Sequence, residues 1–116
     1  MNRTLISNYQ DNASATISAS LSNAVLCGGL RLNGIITPNA WTTANLTFQV
    51  SIDGTNYNNL YDASGNEYTV IAAASRHILL DVRAFQSFTF LKVRSGTAST
   101  PVNQGADRVL TLLFGS

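Results

Sequence analysis

From Leu46 to Ile52 apolar and polar residues alternate without a break, with Leu46, Phe48, Val50 and Ile52 on one side and Thr47, Gln49 and Ser51 on the other. A helix would scatter this pattern around its circumference. A strand, whose side chains point alternately to opposite faces, gathers it into one buried and one wet face. Asp53 and Gly54 follow at once: glycine tolerates positive φ, and a short carboxylate can bond its own backbone, so the pair predicts a tight turn. Tyr57, Leu60 and Tyr61 then restart the apolar pattern. The segment reads as a β-hairpin with one buried face, and nothing in it looks like a reaction centre.

The rest of the chain repeats this grammar. Ala15, Ile17, Ala19 and Leu21 alternate with Thr16, Ser18 and Ser20, and the run Val25 to Cys27 ends at Gly28 and Gly29. Leu30, Leu32 and Ile36 are expected on one face and Arg31, Asn33 and Ile35 on the other, with Gly34 as a bulge. Pro38 then breaks the ladder because it lacks an N–H donor. A short strand is expected over Glu67 to Ile71, with Tyr68 and Val70 facing inward, and another over His77 to Asp81. Ala72 to Ala74 is too short a run to nucleate a helix, whereas Val82 to Ser87 suits a single helical turn. Ser95 to Ala106, with Gly96, Pro101 and Gly105, reads as one long loop. The last strand, Arg108 to Phe114, is apolar on both faces and is therefore central or at an interface. Together these elements predict an all-β fold, an antiparallel two-sheet β-sandwich of jelly-roll-like type with seven to eight strands. Residues 1–14 read as an N-terminal arm or edge strand, and residues 15–116 as the sandwich domain.

Charge and composition narrow the function. Charged residues make up 11% of the chain, less than half the usual proportion of about 25%, and Asn, Ser, Thr and Ala fill their places. A polar but weakly charged surface suits close contact with identical neighbours. The 7 basic residues are dispersed and the net charge is +1. Backbone-phosphate binding needs clustered cations, so nucleic acid is not the expected partner. His77 is the only histidine and Cys27 the only cysteine, which leaves no ligand set for zinc. Cys27 sits among apolar residues and reads as a small buried hydrophobe. No nucleophile elbow or phosphate loop is present, and the acids fall mostly beside turns, where they cap backbone. The chain is expected to be no enzyme and to hold no metal or cofactor. It lacks the look of a signal peptide and has no run approaching a membrane span, so synthesis in a cytosol and no membrane partner are expected.

One binding chemistry stays open. Trp41, Tyr57 and Tyr61 lie around the hairpin and its loops, and rings beside Asn and Asp can form a glycan surface, although packing of the hairpin and core accounts for them better, since large aromatics are mostly core in domains of this size.

The ordered pattern of Trp41, the strand Leu46 to Gly54, Tyr57, Leu60 to Asp62, Gly65 and Glu67 to Val70 resembles a group of small virion proteins of tailed bacteriophages. The later run from Phe90 to Thr97, Pro101 to Gln104, Ala106 to Arg108 and the final apolar strand resembles them too. The likeness spans about residues 24–114 and leaves residues 1–23 outside. It implies a β-sandwich assembled on a phage particle and carries no catalytic residues. The expected role is a capsid decoration, or cement, protein that binds the major capsid protein on the outer shell, bridges capsomers and self-associates into a homo-oligomer. Its expected location is the virion, after synthesis in the bacterial host cytoplasm. Leu5, Ile6 and Tyr9 of the arm and Pro101 and Val102 of the long loop are the expected partner contacts. The alternative is a neck, tail or fibre component with a glycan surface at Trp41, Tyr57 and Tyr61.

Overall fold

The computed structural model describes residues 10–116. In chain order the strands are β1 (Gln10–Ile17), β2 (Val25–Leu26), β3 (Arg31–Ile36), β4 (Leu46–Ser51), β5 (Asn58–Asn59), β6 (His77–Leu79), β7 (Phe90–Ser95) and β8 (Arg108–Gly115). A 3-10 turn at Val82–Phe85 stands between β6 and β7. The strands form two four-stranded sheets, ordered β1-β8-β3-β6 and β2-β7-β4-β5, with every pairing antiparallel. Each strand of the first half thus neighbours its counterpart from the second half: β1 with β8, β2 with β7, β3 with β6, β4 with β5. The protein is a small antiparallel β-sandwich, as the alternation implied.

The core lies between the sheets. From the first sheet come Ala15, Ile17, Leu32, Ile35, Leu110, Leu112 and Phe114, and from the second Val25, Leu46, Phe48, Leu91 and Val93, all buried. Both β7 and β8 sit inside their sheets, which explains the density of apolar residues in β8. The 3-10 turn exists to deliver one side chain. Phe85 is fully buried and meets Phe48 and Tyr68 edge-to-face, with ring centroids 5.1 and 5.3 Å away, the arrangement aromatic quadrupoles favour. Asp81 caps the turn by accepting the Arg83 amide at 3.1 Å.

Three details depart from the sequence expectation. The bulge falls at Asn33, where the β3–β8 register skips from Leu32 to Gly34. The extra residue inverts the phase, so Ile35 turns inward and Ile36 outward, the reverse of the simple alternation. Ile52 is 78% exposed because β4 ends at Ser51 and the chain is already turning. Glu67 to Ile71 makes no strand. Glu67 and Val70 form only isolated bridges to Tyr61 and Leu46, although Val70 is buried and Tyr68 packs against the core as expected. Residues 10–14, part of the segment expected as an arm or edge strand, belong to β1, which lies at the edge of its sheet and runs along β8 from Gln10 paired with Gly115.

Candidate functional site

The hairpin turn is built as its residues suggest. Gly54 has φ of +78°. Both Asp53 oxygens are engaged: Oδ1 accepts from the amides of Thr55 and Asn56 and from the Ser51 hydroxyl, and Oδ2 from the Asn56 side chain. These bonds, led by the Asn56 and Thr55 amides, hold the Asp53 carboxyl far below the usual carboxylate range. Asp62 does the same work in the next turn, accepting from the amides of Ser64 and Asn66.

Pairing in β7 aims Arg94 at the outer face of the second sheet, opposite Thr47, yet Arg94 is buried. Its guanidinium donates to Glu67 Oε2 at 3.1 Å, Thr47 Oγ1 at 3.2 Å and Asn59 Oδ1 at 2.6 Å. Glu67 also accepts the amide of Ala98, and Thr47 donates to the Gly96 carbonyl at 2.8 Å. The cluster therefore lashes the start of the long loop to the sheet. At the loop's far end Gln104, 2% exposed, donates to the Thr42 carbonyl and the Ser95 hydroxyl and accepts the Thr42 amide at 2.7 Å. The segment expected as one long loop is a loop strapped at both ends. Pro101 is exposed in a bridge with Gly96, and half-buried Val102 donates to the Ser95 carbonyl.

Neither the Glu67–Arg94 pair nor Gln104 carries a local sequence signal. The ion pair spans 27 residues, too far for any periodicity to reveal.

An open cleft of about 490 Å³ lies between the loop after β5 and the 3-10 turn, within the range of small-ligand sites. Tyr61, 54% exposed, and Tyr68 supply its aromatic lining. Arg83, also in the lining, grips Asp81 through two parallel bonds, Nε to Oδ1 at 3.1 Å and Nη2 to Oδ2 at 3.0 Å. This fork and the Arg83 amide lower the Asp81 pKa, and the Asp81 carboxylate in turn raises that of Arg83. Burial, followed by the negative charge of Asp81, raises the Tyr68 phenol. The chemistry available is a flat apolar ring beside a planar charged fork, suited to holding a polar ring by stacking and hydrogen bonding.

Of the three aromatic residues expected to share a surface, only Tyr61 lines this cleft. Trp41 is half-buried against the core and donates its indole N–H to the Ala44 carbonyl at 3.3 Å. Tyr57 lies under the Lys92 ammonium, 4.3 Å from its ring centroid. Leu5, Ile6 and Tyr9, the expected arm contacts, lie outside the described residues. Cys27 is buried, and that burial pushes its thiol up to about 11. Among the described residues no cluster of three or more His, Cys, Asp or Glu could hold a metal ion, and no helix is long and apolar enough to cross a membrane.

No protein-family model and no curated protein sequence matches this chain. Among solved structures it is similar to the SPBc2 prophage-derived protein YomS, with 11% identity over 99% of this chain and 100% of that one, and a TM-score of 0.61. The fold is therefore shared along the whole length. More remote likenesses are to chitosan-binding module 1 of a chitosanase/glucanase from Paenibacillus sp. IK-5 (19% identity, 90% of this chain and 75% of that one, TM-score 0.39) and to the disulfide-linked pili of Bacillus endospore appendages (10% identity, 98% and 97%, TM-score 0.36). These two are too distant to bear on the reading.

Proposed function

We propose that this protein is a structural component of a tailed-bacteriophage particle, and specifically a capsid decoration protein that binds the major capsid protein and bridges neighbouring capsomers. The observation that carries this reading is the end-to-end fold likeness to a prophage-derived protein. The resemblance of the Trp41 to Val70 and Phe90 to Phe114 patterns to small phage virion proteins supports it independently. A clip needs a rigid body, and the strapped loop and sandwich core provide one. A surface with few charges tolerates dense packing beside identical copies. In this reading the paired winding of the strands is a jelly roll, the protein is made in the host cytoplasm, and it is a homo-oligomer on the virion.

A second reading, a neck, tail or fibre component that holds a glycan, is favoured by one observation: a cleft lined by Tyr61 and by the Asp81–Arg83 fork. The two separate by stoichiometry. Quantitative mass spectrometry of purified virions should find this chain at an abundance comparable to the major capsid protein. An abundance tens of times lower would overturn the decoration role. Loss of host adsorption on Tyr61→Ala would then assign the cleft to glycan capture.

A further inference from the structure

The cleft at Tyr61 does not stand alone. A second hollow of about 380 Å³ lies at the other end of β5, lined among others by Ile52, Asn58 and Phe88. Ser87 belongs to the lining of both, so the two concavities meet there. One wall follows the chain from Asn56 through β5 to Asp62, a path of at most about 20 Å when extended. The other wall follows the chain from Arg83 to Phe88. Both walls are fixed before any ligand arrives. Val50 and Gln49 of β4 pair with Asn58 and Asn59, and the Leu60 amide donates to the Phe48 carbonyl at 3.0 Å. Buried Phe85 anchors the opposite wall two residues before Ser87. A preformed groove spares a ligand the cost of ordering it.

We propose that the two hollows form one groove that takes a linear, neutral glycan, one end at Tyr61 and the following rings towards Asn58. This rests on the reading of the cleft as a glycan site and extends it from one ring to a chain. The lining alternates the two chemistries a sugar presents. Ile52, 78% exposed, and Tyr61, 54% exposed, offer apolar surface to the C–H face of a ring. The Asn58 amide, which both donates and accepts, and the Ser87 hydroxyl are available to ring hydroxyls. Charge then selects among glycans. Asp53, Asp62 and Asp81 line the groove, and its one cation among the described residues, Arg83, is already forked onto Asp81. A uronic or phosphorylated chain would therefore meet carboxylates with no unpaired counter-charge. An extended peptide is disfavoured on other grounds. It docks by adding a strand to a sheet edge, and β5 supplies an edge of 2 residues only.

An array of neutral and acidic linear oligosaccharides of one to six rings, probed with the full chain, tests the groove, with calorimetry on the best length series. Neutral chains should bind, and affinity should climb beyond two rings. Tyr61→Ala should weaken binding at every length. Asn58→Ala should weaken the longer chains about fivefold to tenfold, the worth of one hydrogen bond or a little more, and leave one- and two-ring ligands unchanged. Asn58 is exposed and its side chain supports nothing else, so the fold should survive, which circular dichroism checks. Binding without any gain from length, or long chains indifferent to Asn58→Ala, would overturn the groove and leave the single-ring cleft standing. A preference for acidic chains would overturn the neutral assignment. No binding at any length would overturn the groove and the cleft reading together.

Discussion

The two sheets treat their outer faces in opposite ways. On the second, the central strand β7 points Lys92 and Arg94 outward, and the molecule covers them itself. Arg94 is enclosed by Glu67, Asn59 and Thr47, and Lys92 rests on Tyr57. On the first, the central strand β8 points Val109, Thr111 and Leu113 outward, and no segment among the described residues lies over Val109, Leu79 or Ile36. A buried guanidinium has to find its partners within the chain, because an unpaired buried charge is prohibitive. An exposed leucine carries no such obligation and can wait for a surface supplied from outside. One face is thus covered from within the chain, whereas the other leaves Leu79, Val109 and Ile36 exposed.

Breaking the cover should have the largest effect. Glu67→Ala leaves Arg94 buried without its counter-charge and releases the Ala98 amide. A loss of about 3 kcal/mol is expected, seen as a fall in melting temperature of about 10 °C. Replacing both members together, Glu67→Met with Arg94→Met, should cost less than the single change, since no charge is then stranded. If Glu67→Ala proves neutral by urea denaturation, Arg94 is reaching water and the contrast between the faces collapses. Leu79→Arg on the other face should change the stability of the monomer by less than about 0.5 kcal/mol.

A smaller effect should follow from loosening the far end of the strap. Gln104→Ala strands the Thr42 amide and carbonyl and the Ser95 hydroxyl, for a loss of about 2 kcal/mol. Hydrogen exchange should show the Thr42 amide deprotected, while the amides of β8 paired with β1 keep their protection. Loss of protection in both places would mean that the strap supports the whole sandwich rather than one edge of it.

What the sequence could reveal follows the range of the interactions. The β4 alternation, the Asp53 and Gly54 turn, the single turn ending at Phe85 and the two-faced apolar character of β8 are all local, and each was legible. The phase of β3 was not, because one extra residue inverts every side chain after it, and simple alternation through Ile36 takes no account of that inversion. Glu67 looked like the start of a strand since its neighbours Tyr68 and Val70 alternate, yet its carboxylate is committed to Arg94 and Ala98. The separate settings of Trp41, Tyr57 and Tyr61 were hidden for a related reason: Trp41 packs against the core, Tyr57 lies under Lys92 and Tyr61 lines the cleft. Closeness along a chain that winds between two sheets does not place side chains on one surface. The Asp81–Arg83 fork that shares the cleft with Tyr61 was missed, although an Asp capping a short turn is a readable local signal.

Acid provides the gentlest probe of the contrast. The β4–β5 hairpin of the second sheet is closed by the Asp53 carboxylate, while the pairing of β1 with β8 in the first sheet uses none. Because the folded-state pKa of Asp53 is depressed by the Asn56 and Thr55 amides, its contribution is fully present above the unfolded value of about 3.9 and is lost as pH falls through the folded one. Asp81, lowered by Arg83, acts in the same direction. Urea midpoints should therefore be flat near neutrality and decline below about pH 4. Asp53→Asn should lower the midpoint slightly at neutral pH, since Asn can still cap the turn, and should make the acid limb shallower. Hydrogen exchange in the same acid range should show the Asn56 and Asn58 amides opening before those of Ala15 and Leu110. Simultaneous opening would mean that the two sheets share their stability despite their different faces, and that the hairpin turn is not where acid first acts.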